Sequence, residues 1–149
     1  MDKDKITSVF DKWCKKLRLT PDWDIKLQWV TDENWTKTGD IKIDCCDKKA
    51  ILLLNELDPK DENLEETVAH ELMHLKMYPL DQFTEELILS SFKENPPARD
   101  FAYRGFFETL EQTVEELTKC FLLEFGENRE LSFGRCQREK SFTELYDGL

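Results

Sequence analysis

Leu64-Glu65-Glu66-Thr67-Val68-Ala69-His70-Glu71-Leu72-Met73-His74-Leu75-Lys76-Met77 is the stretch on which the reading of this chain turns. Leu64, Val68, Leu72 and Leu75 recur at helical spacing and make one apolar stripe. His70, His74 and Met77 fall on another face. The chain has 2 histidines, and both lie here, four residues apart. On a helix such residues stand one above the other. Two neutral imidazoles can therefore point at one cation, the arrangement behind the pattern H-E-x-x-H. Glu71 stands one step round the helix, beside the cation but outside its ligand shell. That position suits a carboxylate that takes a proton from water.

Upstream, a first amphipathic helix is expected over residues 3–17, with Ile6, Val9, Phe10, Trp13 and Leu17 on its apolar face. Leu19-Thr20-Pro21-Asp22 ends it. Trp23, Ile25, Leu27 and Trp29 alternate with polar residues, as in a half-buried strand. Ile41, Ile43 and Cys45 give a second strand, and residues 46–49 a hairpin turn. The apolar run at residues 50–55 is expected to be a buried third strand. A small, mostly antiparallel sheet thus precedes the motif. Two helix starts follow: Asp58-Pro59, and Asn63 with Glu66.

The motif helix is expected to stop before Pro79. Residues 82–92 read as a separate helix, and Asn95-Pro96-Pro97 breaks the pattern. Phe107, Leu110, Val114, Leu117 and Phe121 mark a strong amphipathic helix over about 102–125, which Gly126 stops. The chain reads as a single α+β domain over 1–149: helix and sheet in 1–60, metal-site helices in 61–125, and a charged tail in 126–149.

The net charge of -11 argues against nucleic acid or an anionic membrane as partner. No run approaches the roughly 20 apolar residues of a membrane span, and the charged start does not resemble an export signal. The 5 cysteines contain no C-x-x-C pair. Reduced thiols in a cytoplasm, and a monomer, are the expectation. Cys45 and Cys46 are weak alternatives as metal ligands.

A catalytic zinc site needs a third protein ligand, and no third histidine exists. The downstream helix presents Glu108, Glu111 and Glu115 on one face. Glu111 is the expected ligand, with Glu108 as alternative. Glu115, one turn on, is expected to accept a hydrogen bond from a ligand imidazole. A two-iron carboxylate bundle would need a second E-x-x-H, which is absent. A mononuclear iron site stays formally open, though H-E-x-x-H favours zinc.

With His70-Glu71-Leu72-Met73-His74 and a glutamate on a later helix, the chain resembles the zincin metallopeptidases of gluzincin type. It is similar in particular to the minimal gluzincins and to the ImmA/IrrE-like and phage-type cytoplasmic peptidases. The resemblance spans residues 50–125. It implies a zincin-like fold in which the strand at 50–55 borders the cleft. It implies a zinc-dependent endopeptidase acting on a protein or peptide, with zinc on His70, His74 and Glu111 and Glu71 as general base. Such families often add a donor for the oxyanion. Tyr103 is the first expectation for that role and Tyr78 the second. A charged tail after Gly126 that covers the cleft is a further expectation. The alternative is a catalytically inactive binding or regulatory module on the same scaffold.

Overall fold

The computed structural model describes residues 2–59 and 63–127. The chain is α+β, with the order α1 (Lys3–Lys16), β1 (Asp24–Val30), β2 (Gly39–Asp44), β3 (Lys49–Asn55), α2 (Leu64–Ser91) and α3 (Pro96–Phe125) among those residues.

Helix α1 starts at Asp2, whose carboxylate accepts the Lys5 N–H. It ends by a left-handed turn. Arg18 has φ 53°, the Arg18 N–H donates to the Lys15 carbonyl and the Leu19 N–H donates to that of Cys14. These bonds satisfy carbonyls that the helix end leaves open. The helix buries Val9, Phe10, Trp13 and Cys14.

The sheet is mixed rather than mostly antiparallel. Its order is β1-β3-β2, with β1 parallel and β2 antiparallel to β3. The turn at 45–48 sends β3 back along β2, and β3 then inserts between β2 and β1. Trp29, Leu27 and Ile25 stand opposite Leu54, Leu52 and Ala50, which stand opposite Gly39, Ile41 and Ile43. This face packs into the core. The opposite face is open, so β3 is buried on one side only: Ile51 is 38% exposed.

Helix α2 begins behind Asn63, not at Asp58-Pro59, and its apolar stripe buries Leu64, Val68, Leu72 and Leu75. It does not stop before Pro79. It runs unbroken to Ser91, so the expected helix over 82–92 is its second half. Pro79 has no N–H to give the Leu75 carbonyl, which costs helix stability. Packing along α3 outweighs that local cost. Helix α3 begins six residues before the expected 102. Asn95 accepts the Ala98 N–H, and Pro96 and Pro97 fill first-turn positions that need no N–H. The dipeptide expected to break the helical pattern therefore starts α3, and α2 has already ended at Ser91. Gly126 closes it, with its N–H on the Leu122 carbonyl. Most of the charged tail, residues 128–149, lies outside the described residues, and with it any cover over the cleft.

No helix among the described residues is long and apolar enough to cross a membrane.

Candidate metal site

The antiparallel pairing of α2 and α3 builds the site. His70 and His74 lie on the α2 face turned away from Leu72 and Leu75. Glu111 and Glu115 lie on α3, beside the buried Leu110 and Val114 that hold the two helices together. The structure brings one donor atom each from His70, His74 and Glu111 within 4.8 Å of one another. His70 Nε2 is 3.5 Å from one Glu111 oxygen, and His74 Nε2 is 3.4 Å from the other. Both rings offer Nε2 to Glu111. His70 turns its other nitrogen, Nδ1, to Glu115 at 3.1 Å. Glu108 is exposed and outside this group, as are Cys45 and Cys46 on their turn.

The electrostatics follow from burial and these contacts. Burial lowers both imidazoles. At His70 the carboxylates of Glu115, Glu71 and Glu111 outweigh it and hold the ring above its ordinary value. His74 stays below. The hydrogen bond from His70 first, with Lys119 also contributing, holds the Glu115 carboxyl down at about 2. Burial pushes Glu71 the other way, to about 7. A carboxyl near neutrality can both take and return a proton at working pH.

His70, Glu71, His74 and Glu111 line a cavity of about 550 Å³ together with Lys37, Gly39, Asp40, Ile41, Lys42, Ile43, Tyr78, Asp81 and Phe107. The bordering strand is β2, not the strand at 50–55 that the resemblance implies, because β3 occupies the centre of the sheet. The Asn55 N–H donates to the Thr38 carbonyl. The alternation of an antiparallel ladder then turns the N–H and C=O groups of Gly39, Ile41 and Ile43 to the edge away from β3.

Of the two tyrosines, Tyr78 lines the cavity. Tyr103 lies in an adjoining hollow with Glu85, Leu89, Arg99 and Asp100, its ring stacked on Phe107 at 6.5 Å. Tyr78 is four residues beyond His74, hence on the same face of α2. That signal was present in the sequence but hidden by the expected stop at Pro79. Gly39 was missed altogether. A Cβ there would come 2.5 Å from Thr67 Cγ2 and 3.3 Å from Glu71 Cγ, so only glycine lets β2 lie this close to the motif helix.

Compared with known proteins, the chain matches no family model, no curated protein and no solved structure.

Proposed function

We propose that the protein is a zinc-dependent endopeptidase with a zincin-like fold of gluzincin type, acting on a protein or peptide. The observation that carries this reading is the convergence of His70, His74 and Glu111 beside Glu71 in one open cavity. Two imidazole nitrogens and one carboxylate are the donor set of a three-ligand catalytic zinc site. Zinc held there supplies a Lewis acid for water and for the scissile carbonyl.

The chain's own residues do the rest. Glu71 takes the proton of the attacking water and passes it to the leaving amine. Its carboxyl, pushed up to about 7, is suited to both transfers. Glu115 fixes the His70 ring through Nδ1, so that Nε2 faces the ligand position. The unpaired edge of β2 can add an extended substrate as one more strand. Tyr78 is the hydroxyl donor that the cavity offers to the developing oxyanion.

The test is metal content by mass spectrometry together with turnover. About one zinc per chain is expected in the parent, and a sharp loss in folded Glu111→Ala. Glu71→Gln should keep metal and fold but lose peptide cleavage. Cleavage that survives Glu71→Gln would overturn the mechanism. A parent that takes up no zinc after add-back would overturn the site and favour the inactive binding module.

A further inference from the structure

The cavity carries its charges unevenly. Lys37 and Lys42 both turn onto Asp40: Lys37 Nζ lies 3.1 Å from one carboxylate oxygen, and Lys42 Nζ bonds to the other. These three lining residues pair among themselves on the β2 side of the cavity and leave one positive charge in excess there. Glu71, Glu111 and the histidines belong to the metal site. One charged lining residue is left, Asp81. It is half-buried, and among the described residues it pairs with no Lys, Arg or His. Its charged neighbours, Glu85 and Glu111, are both carboxylates. Among the described residues no cation is paired with it, which leaves its charge for a cation brought by the substrate.

The walls beside Asp81 fit such a cation. Tyr78 and Phe107 line the same cavity, and Tyr103 extends the aromatic surface by stacking on Phe107. Aromatic faces next to a carboxylate suit the methylene stem and the charged head of lysine or arginine. The position fits as well. His70, His74, Tyr78 and Asp81 follow one face of α2, at steps of four, four and three residues. Asp81 is seven residues beyond His74, roughly 10 Å along the helix axis. That equals about three residues of extended chain. The free edge of β2 runs along the same cavity.

We infer that Asp81 is the specificity-determining residue of this cavity, selecting substrates with a lysine or arginine within about three residues of the scissile bond. This rests on the peptidase reading above. The test uses the zinc-loaded full chain and quenched-fluorescent peptides that differ at one position, scanned on both sides of the cut. That position carries lysine, norleucine or glutamate. The parent should favour lysine over norleucine by roughly tenfold in kcat/KM at one position. Asp81→Asn should bring that ratio near one, and Asp81→Lys should invert the preference between lysine and glutamate, with circular dichroism confirming the fold. Glu71-dependent cleavage with no lysine preference in the parent, or with the preference kept in both folded variants, would overturn the role of Asp81 alone. No cleavage by the parent, or equal cleavage by Glu71→Gln, would remove the peptidase reading and this inference with it.

Discussion

His70 bridges two glutamates of α3, with Nδ1 3.1 Å from Glu115 and Nε2 3.5 Å from Glu111. The Glu115 carboxyl sits at about 2, held there chiefly by this contact, so at neutral pH it is an acceptor only. In the neutral ring Nδ1 therefore carries the proton, which leaves the Nε2 lone pair for a cation. Glu115→Ala should weaken zinc binding by roughly 10- to 100-fold with the fold retained. Competition with a chromophoric chelator measures it. Unchanged affinity would mean that Glu115 does not orient the ring.

Gly39 sets the distance between the edge strand and the general base. In Gly39→Ala the new methyl meets the buried, branched Thr67 at 2.5 Å and presses on Glu71. Overpacking of this kind costs about 1–3 kcal/mol. Urea unfolding should register the loss, and kcat should fall with zinc content unchanged. Adding Thr67→Ser removes the clashing Cγ2 and should restore most of the stability. If the double variant is no better than the single one, the clash lies elsewhere.

The parts of the molecule that were legible in the sequence are those set by local periodicity. Ile6, Val9, Phe10 and Trp13 repeat at helical spacing, and Ile25, Leu27 and Trp29 alternate, so α1 and β1 could be read directly. The histidine pair was legible because four residues on a helix fix a direction. Strand pairing is a long-range property: nothing local tells β3 to insert between β1 and β2, so the parallel pair was missed and the wrong strand was expected at the cleft. Pro79 carries a true local signal that tertiary packing overrides. That one override hid the continuity of α2, and with it the alignment of Tyr78 and Asp81 with the histidines.

Tyr78 and Tyr103 can be told apart by kinetics. Only Tyr78 lines the cavity with His70, Glu71 and His74. If its hydroxyl meets the oxyanion, Tyr78→Phe should lower kcat by roughly 100-fold, the usual loss for one such donor. Tyr103→Phe, in the adjoining hollow, should change kcat far less. The reverse order of effects would require the two rings to exchange roles when substrate binds.

The junction of α1, α2 and the end of α3 rests on one buried carboxylate. Glu65 is 3% exposed. Its Oε1 accepts from Lys12 Nζ at 2.7 Å and from Trp13 Nε1 at 3.0 Å, and its Oε2 accepts the Glu127 N–H at 2.7 Å. Burial alone would raise its pKa, but Lys12, the Glu127 N–H and Trp13 outweigh burial and hold the carboxyl below its ordinary value. A depressed carboxyl stabilises the fold in full above its unfolded pKa, about 4.3. That contribution is lost as pH falls through the folded pKa. Glu65→Gln sets an amide N–H₂ against a ring of donors, and should cost about 1–3 kcal/mol at pH 7. The gap between parent and variant should narrow as the pH is taken from 7 to about 3. Urea unfolding at both pH values decides it: an undiminished gap in acid would show that packing, not the ionised carboxylate, holds the three helices at this point.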